Sequence, residues 1–337
     1  MTVPPNLPYH ERFARIPLRR TALLVAKIAV SLALLAYLLS DTNLHALHLR
    51  VRTGDTLLFG LAVLCYAGML ALSTWRWHLL LRTQGYPASL RRLSETYLVA
   101  MFFNNFLPSN IGGDIVRVRD SSRLTGSTTA SVAVVAVDRI LGFAALYFLA
   151  LLAFGLGGSS LRGLAGARSI ILLVGLVFGG MVYVFFRPGT ARRLVAATRL
   201  ASLPWFQERF ETVQAAVHVY RTELASVVLA FGTSMGLQSF MVVYYYVVAH
   251  ALRIPLGLSA CFLMVPLCTL IQTIPVSFNG WGIRESVFAV YFTQVGLPRE
   301  SALAFSLVGA GLIVLLSLSG AVVWAARGEP GAGDAPP

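Results

Sequence analysis

Residues Phe102–Arg123, with the sequence FFNNFLPSNIGGDIVRVRDSSR, decide the fold that we expect for this chain. An apolar, helix-like run over 93–107 ends at a Pro-Ser-Asn-Ile-Gly-Gly break, and charged residues follow directly. A second stretch, TIPVSFNGWGIRESVFAVY over 273–291, repeats this order of features in the other half of the chain. In both stretches a glycine lies five residues and an arginine nine residues after a proline. We interpret the two stretches as related breaks in otherwise apolar helices.

The composition is that of a protein with several membrane-spanning helices. Of the 337 residues, 57% are hydrophobic and 12% are charged, and the mean hydropathy is +0.73. Soluble domains carry about 25% charged residues. The net charge of +13 fits basic loops that face anionic lipid. Because the sequence has no zinc-ligand spacing, helix-turn-helix pattern or basic block interleaved with aromatic residues, we expect no nucleic-acid partner.

Hydropathy predicts six segments long enough to span a bilayer, which takes about 20 residues. These segments are 21–39, 56–81, 127–156, 167–186, 224–249 and 299–325. Two further segments, about 91–126 and 258–296, are apolar but interrupted by Pro and Gly, and we interpret them as re-entrant hairpins. The predicted fold class is therefore all-α, a polytopic membrane helix bundle of about six full spans plus two broken hairpins.

The placement of basic residues predicts the orientation of the chain. With a cytoplasmic N-terminus, the inner regions hold 18 of the 27 Lys and Arg residues and the outer loops hold six. Because basic loops are retained on the cytoplasmic side, we predict that both termini are cytoplasmic. The first hairpin then opens from the cytoplasm and the second from the outside, as in transporters built from inverted repeats.

Composition also sets the domain boundaries. We expect a basic cytoplasmic N-terminus over 1–20 and one transmembrane domain over 21–326, whose first helix is not a cleaved signal peptide. The long polar segment 187–223 predicts either a surface linker helix or an amphipathic elbow on the inner leaflet. Residues 327–337 are rich in Gly and Pro and are expected to form a disordered tail.

Asp138 and Arg139 lie about 11 residues into a predicted span, close to the expected bilayer centre. A charge there costs on the order of 3 kcal/mol or more, so both side chains need partners. Neighbouring residues on a helix point about 100° apart and satisfy each other poorly, which leaves the hairpins as the source of partners. The expected partners are Arg117 or Arg284 for Asp138, and Asp114 or Glu285 for Arg139.

The breaks themselves are suited to binding an anion. Glycine permits a tight turn and close approach, and a helix that begins after Gly113 or Gly280 points unpaired N–H groups into the membrane. With an arginine one turn later, such a helix start can hold a phosphate or carboxylate. The alternative is a charge network that only holds the hairpins in place. The predicted binding residues are Asn105, Gly112, Gly113, Asp114, Arg117, Asp138, Arg139, Asn279, Gly280, Arg284 and Glu285.

The usual motifs of several kinds of chemistry are missing from the sequence. There is no GxSxG, HExxH or Walker loop, so we predict no catalytic residue, no metal site and no cofactor. The three cysteines, Cys65, Cys261 and Cys268, lie in apolar runs and are interpreted as small buried hydrophobic residues.

The motifs FLPSNIGGDIVR, SVAVVAVDRILG and IPVSFNGWGIRESVF, in this order, resemble the lysylphosphatidylglycerol synthase transmembrane region family. The resemblance covers nearly the whole chain. It implies a flippase-like module of a bacterial inner membrane that translocates a lipid, without the aminoacyl transferase domain that follows this module in some members. The implied partner is a membrane phospholipid or an isoprenoid lipid, with a lipid-synthesis enzyme as a further candidate.

Two other classes of function stay open from the sequence. One is an integral-membrane enzyme that transfers a phospholipid or polyprenyl-phosphate headgroup, with Asp138 and Glu285 as an acid–base pair. The other is a non-catalytic scaffold that binds a lipid-synthesis enzyme through the 187–223 segment. Because no catalytic motif is visible, we expect a transporter rather than an enzyme.

Overall fold

The computed structural model of the chain is a bundle of α-helices. It describes residues 44–106, 112–156, 166–187, 204–273 and 277–327, together with isolated positions between 29 and 40 and between 189 and 193. Within these residues there are eleven helices and no strand. In chain order they are α1 (Leu44–Arg52), α2 (Thr56–Thr83), α3 (Leu90–Phe106), α4 (Gly112–Thr125), α5 (Thr128–Leu156), α6 (Ala167–Phe186), α7 (Pro204–Thr222), α8 (Leu224–Ala251), α9 (Leu258–Gln272), α10 (Ile283–Gln294) and α11 (Arg299–Ala326).

Four helices, α2, α5, α8 and α11, are long and apolar enough to cross a membrane. Each has 28 or 29 residues, or about 42 Å at 1.5 Å per residue, which exceeds the roughly 30 Å of a bilayer core. They coincide with four of the six predicted spans, and α6 coincides with a fifth. The predicted first span over 21–39 lies largely outside the described residues, as do 1–20 and 328–337. The chain is a polytopic helical membrane bundle, as predicted.

The helices α2 and α8 pack antiparallel along their whole length. At one end the backbone N–H of Asp55 donates to the carbonyl of Ala251 over 2.9 Å. Toward the other end the guanidinium of Arg76 donates to the hydroxyl of Ser234, also over 2.9 Å. Both helices also contact α5, so this pair forms a wall beside the helix that carries Asp138.

The helices α3 and α4 form an antiparallel hairpin, called here the first hairpin. The backbone N–H of Gly113 donates to the side-chain oxygen of Asn104 over 2.7 Å, and the hydroxyl of Thr96 donates to Asp120 over 2.7 Å. A Cβ at Gly113 would overlap the carbonyl oxygen of Ala100, so only glycine allows this approach. With 17 and 14 residues, each helix is shorter than a full bilayer crossing.

The helices α9 and α10 form the second hairpin. They have 15 and 12 residues, and the thiol of Cys268 lies 3.9 Å from the carbonyl oxygen of Arg284. The turn between them uses left-handed backbone at Asn279, Gly280 and Gly282, with φ of 49°, 76° and 85°. Glycine adopts this conformation without steric cost, and asparagine tolerates it. Residues 107–111 and 274–276, which hold the prolines of the two breaks, lie outside the described residues.

Contacts along α11 show that the two hairpins open toward opposite ends of the bundle. The second hairpin ends at Gln294, five residues before α11 begins at Arg299, so its base lies at the start of α11. Arg284, near the tip of this hairpin, donates to the hydroxyl of Ser306 seven residues into α11. Just after the end of α11, Arg327 contacts Glu95 at 3.2 Å and Asp120 at 3.1 Å near the base of the first hairpin. The 28 residues of α11 cover about 42 Å. The bases of the hairpins are therefore separated by nearly the full depth of the bundle.

The tips of the hairpins meet between these two bases. The side-chain amide of Asn279 donates to the carbonyl oxygens of Asn104 and Asn105 over 2.6 and 3.0 Å. This tip-to-tip contact, with bases at opposite ends, is the inverted arrangement that the sequence predicts. Entry of each hairpin from a particular side of a membrane stays a prediction.

The helix α7 accounts for much of the predicted elbow. It packs against α5, and the Tyr220 hydroxyl donates to the carbonyl of Leu80 in α2 over 3.1 Å. Ala216, Val217 and Tyr220 are buried, whereas Glu211 is exposed, so the described part of the helix is amphipathic. Burial raises the pKa of the Tyr220 phenol, which keeps it a neutral donor. Its position on the inner leaflet stays a prediction.

Cysteine labelling tests the opposite orientation of the hairpins. Ser94 and Ser259 are exposed near the bases of the first and second hairpins, so Ser94→Cys and Ser259→Cys should react with an impermeant maleimide from opposite sides. We expect Ser259→Cys to react in intact cells and Ser94→Cys only in inverted vesicles. The parent chain, in which Cys261 and Cys268 are buried and Cys65 is partly buried, gives the background. Labelling of both positions from one side would contradict the arrangement.

Close packing of α11 on α3 makes Gly320 sensitive to substitution. A Cβ there would overlap the carbonyl of Leu98, whereas a Cβ at Gly311 in the same helix meets nothing within 4 Å. Overpacking costs about 1–3 kcal/mol, so Gly320→Ala should lower the unfolding temperature in detergent. Gly311→Ala is the matched control and should leave it unchanged or slightly higher, because alanine favours the helix. Equal effects of the two changes would argue against this contact.

Candidate functional site

The carboxylate of Asp138, on α5, is 1% exposed and is held by two arginines from other helices. Arg76 of α2 donates from Nε to Oδ1 over 2.6 Å, and Arg117 of α4 donates from Nη2 to Oδ2 over 2.9 Å. Each carboxylate oxygen thus has its own guanidinium. Because an unpaired buried charge is costly, this arrangement holds α2, α4 and α5 together at one point.

Arg117 is enclosed by aromatic rings as well as by acids. Its guanidinium carbon lies 4.6 Å from the ring centre of Trp77 and 4.9 Å from that of Tyr97, which are cation–π distances. One of its terminal nitrogens lies 3.6 Å from Asp114, one turn earlier on α4. Its Nε is buried without a hydrogen-bond partner within the described residues. Arg117 is therefore fixed in place with one donor unused.

Arg139 extends the network toward the surface. Its Nε donates to Oδ2 of Asp114 over 2.9 Å, and its side chain is 41% exposed. Together the five charged residues alternate in sign from the interior outward. This ion-pair chain consists of Arg76, Asp138, Arg117, Asp114 and Arg139. With three guanidinium groups and two carboxylates, it carries one net positive charge.

Two adjacent cavities lie beside the ion-pair chain. The inner cavity, of about 270 Å³, is lined by all five of its members together with residues of α2, α3, α8 and α9. The outer cavity, of about 440 Å³, is lined by Asn104, Asn105, Asp114, Arg139, Phe143, Thr269, Gln272, Thr273 and Asn279. Six residues line both cavities, among them Asp114 and Arg139. The exposed end of the ion-pair chain therefore lies at the boundary between the two spaces.

A second charge network lies at the start of α10. Arg284 donates to Oε1 of Glu285 over 2.6 Å, and the hydroxyl of Ser306 donates to the same oxygen over 2.7 Å. The other oxygen of Glu285 accepts the backbone N–H of Gly282 over 2.6 Å and so caps the helix. Arg284 also lies over the ring of Trp281 at 4.8 Å. This network is satisfied by its own hairpin and by α11.

Arg284 and Glu285, the alternative partners that the sequence leaves open for Asp138 and Arg139, pair with each other instead. Because the hairpins open toward opposite ends, the arginine of each lies on its own side of the tip contact. Neither Arg284 nor Glu285 lines the inner or the outer cavity. The pairs Asp138–Arg117 and Arg139–Asp114 are present as expected. Adjacent residues can also pair after all, since Arg284 and Glu285 do so where the helix begins.

The other predicted residues lie around the first hairpin and the tips. Gly112 and Gly113 begin α4, and Gly280 lies in the turn before α10. A Cβ at Gly280 would press on the side chain of Gln272. The predicted residues that line a cavity are Asn105, Asp114, Arg117, Asp138, Arg139 and Asn279.

Arg76 is the main site residue that the sequence analysis misses. It is counted there with the cytoplasmic residues, although it lies within the predicted span 56–81. The structure buries it seven residues before the end of α2, about 10 Å along the helix. Asp138 lies ten residues after the start of α5, or about 15 Å. Asp138 and Arg76 thus lie about 6 and 10 Å from the midpoints of α5 and α2, and their depth in a membrane stays a prediction.

The fold and the site define a polytopic membrane protein with a charged cavity between broken helices. Residues 24–320 match the family model described as the lysylphosphatidylglycerol synthase TM region. The match covers most of the chain, and the protein belongs to this family. Membership of this family indicates a membrane protein with a role in a lipid-related process. A comparison with curated proteins found no match.

Substitution of Asp138 tests how much the ion-pair chain contributes to the stability of the protein. Asp138→Asn leaves the buried arginines Arg76 and Arg117 without their shared counter-charge, and breaking a buried pair costs about 3–5 kcal/mol. We expect the free energy of unfolding to fall by this amount when the protein, held in mild detergent micelles, is unfolded with dodecyl sulfate. Asp120→Asn is the control, because Asp120 pairs with Arg327 in a more exposed setting where such pairs contribute about 1 kcal/mol or less. Similar losses in the two variants would contradict this ranking.

Proposed function

We propose that this protein binds the anionic headgroup of a membrane lipid in its two cavities and moves it between the leaflets. The observation that carries the proposal is the ion-pair chain, which has an excess of one positive charge and lines both cavities. Family membership supports a role in a lipid process.

The electrostatics favour a phosphate ligand. A phosphodiester carries one negative charge, which would balance the excess charge of the ion-pair chain. Guanidinium groups bind phosphate through paired, charge-assisted hydrogen bonds. Arg139 is partly exposed at the boundary of the cavities, and the Nε of Arg117 has an unused donor. The side-chain amides of Asn104 and Asn105 add neutral groups for the remaining headgroup atoms.

The cavity sizes suit a headgroup rather than a whole lipid. Sites for small molecules measure about 300–1,000 Å³. The inner cavity of about 270 Å³ lies just below this range and the outer cavity of about 440 Å³ within it. We expect the headgroup to enter while the acyl chains stay in the bilayer. Such a cavity replaces the water around the charged group, whose unaided crossing of the hydrocarbon core would be penalised.

Transfer from one side to the other requires the hairpin tips to separate. The outer cavity ends at Asn279, whose amide binds the tip of the first hairpin. When the tips part, a headgroup at Arg139 gains access toward the second hairpin. Asp114 contacts both Arg117 and Arg139, so it can keep one partner while the other binds phosphate.

We further propose a bacterial inner-membrane location with both termini in the cytoplasm. The excess of basic residues in the predicted inner regions supports it. The first hairpin, whose base carries Arg91, Arg92 and Arg123, would then open to the cytoplasm.

Leaflet exchange of a fluorescent anionic phospholipid in proteoliposomes tests the function. Arg139→Gln should slow exchange at least tenfold, because loss of one charge-assisted contact to phosphate costs about 1.5–3 kcal/mol. The variant should still fold, since Arg139 is partly exposed and Asp114 keeps Arg117. Arg82→Gln, at an exposed position in the last turn of α2, is the control and should exchange lipid like the parent.

The assay also separates the proposal from its rivals. Exchange that is equal in Arg139→Gln and the parent would contradict a role for the ion-pair chain in transport. A lipid whose headgroup changes mass in the presence of the protein would instead identify a headgroup-modifying enzyme. Absence of both activities, with a lipid-synthesis enzyme co-purifying, would identify a scaffold.

A further inference from the structure

A groove of about 710 Å³ lies along the first hairpin, between α3, α4 and the end of α11. None of the residues that line it also lines the inner or the outer cavity. It is called here the basal groove, because it reaches from the base of the hairpin part of the way toward the tip.

The end of the basal groove near the hairpin base is rich in uncompensated positive charge. Its two acids are already neutralised, since Glu95 pairs with Arg91 and Arg327, and Asp120 also pairs with Arg327. Three more arginines, Arg92, Arg119 and Arg123, line the same space and are exposed. Their guanidinium groups have no ion-pair partner among the described residues. This end of the groove therefore presents three cationic side chains to a ligand.

The other end of the basal groove is apolar. Ile115 is 62% exposed and Trp324 is 56% exposed, and both line it together with Phe103. The rings of Phe103 and Trp324 meet edge to face with their centres 5.9 Å apart. These side chains offer a surface to an acyl chain but nothing to a small soluble anion.

On each of the three helices that line the basal groove, basic residues lie near the hairpin base and apolar residues lie toward the tip. On α4, Ile115, Arg119 and Arg123 follow at intervals of four and share one face. On α3, Arg92 lies near the hairpin base, whereas Phe103 lies near the tip. On α11, Trp324 precedes Arg327 by one turn. All three helices thus run from basic at the base to apolar toward the tip.

We infer that the basal groove is a binding site for an anionic phospholipid, separate from the central cavities. The phosphate would lie among Arg92, Arg119 and Arg123, and an acyl chain would lie along Phe103, Ile115 and Trp324. Basic pockets between membrane helices bind anionic headgroups in this way, and the apolar wall selects a lipid over free phosphate. An uncharged lipid would leave the three guanidinium groups uncompensated. The inference does not depend on transport through the central cavities.

Quenching of Trp324 fluorescence tests the site in the full-length protein in detergent micelles. Bromine on the acyl chain of phosphatidylglycerol should quench at lower lipid fractions than the same bromine on phosphatidylcholine. The part of the signal that is lost in Trp324→Phe belongs to the groove. Each cation near an anionic surface is worth roughly fivefold in affinity. Arg119→Gln/Arg123→Gln should therefore shift half-quenching by phosphatidylglycerol on the order of thirtyfold upward.

A matched double variant separates the groove from general surface charge. Arg82→Gln/Arg187→Gln removes two exposed arginines that do not line the groove and should leave the half-quenching point unchanged. Equal quenching by the two brominated lipids, or an equal shift in both double variants, would overturn the site. Displacement of phosphatidylglycerol by millimolar glycerol phosphate would overturn the acyl-chain part, because a soluble phosphate would then suffice. Unfolding temperatures near that of the parent confirm that the variants are folded.

Discussion

The buried carboxylate of Asp138 is the constraint on which the rest of the structure depends. It lies inside an apolar bundle, where a single charge is unstable, and it is compensated by guanidinium groups from α2 and α4. Three helices that are distant in sequence must therefore meet at one point. Hydrophobic packing alone allows helices to slide and rotate, whereas these directional contacts fix their register. The position of the first hairpin, and with it the shape of the cavities, follows from this junction.

The two hairpins solve the same problem of buried charge in different ways. In the first, Arg117 is joined to acids on α4 and α5, and a chain of ion pairs leads outward to Arg139. In the second, Glu285 caps its own helix and neutralises the adjacent Arg284, with Ser306 as a third partner. One network is therefore open to a cavity and the other is closed. This asymmetry between similar sequences places the proposed ligand site on the side of the first hairpin.

Much of the fold could be predicted from the sequence, and the site only in part. Long apolar runs identify spans, and the paired breaks identify hairpins, because both depend on local composition. A need for hairpin partners at Asp138 and Arg139 also follows, since buried charges need partners of opposite sign, but the sequence leaves two candidates open for each. Two features depend on three-dimensional placement: Arg76 reaches Asp138 across 62 residues, and Glu285 turns back to its own helix start. Charge alone does not distinguish these partners from others of the same sign.

Among the described residues, hydrogen bonds of one side chain, Asn279, join the tips of the two hairpins. Asn279 donates one amide group to two backbone carbonyls of the other hairpin, and those carbonyls lie in the last turn of α3, where carbonyls have no partner within the helix. Exchanging such bonds for bonds to water or to lipid oxygens changes the free energy by only about 1 kcal/mol each. The contact between the tips can thus break and form again without loss of the hydrogen bonds within the helices. Parting of these contacts would leave the contacts within each hairpin, such as Gly113 with Asn104 and Cys268 with Arg284, in place.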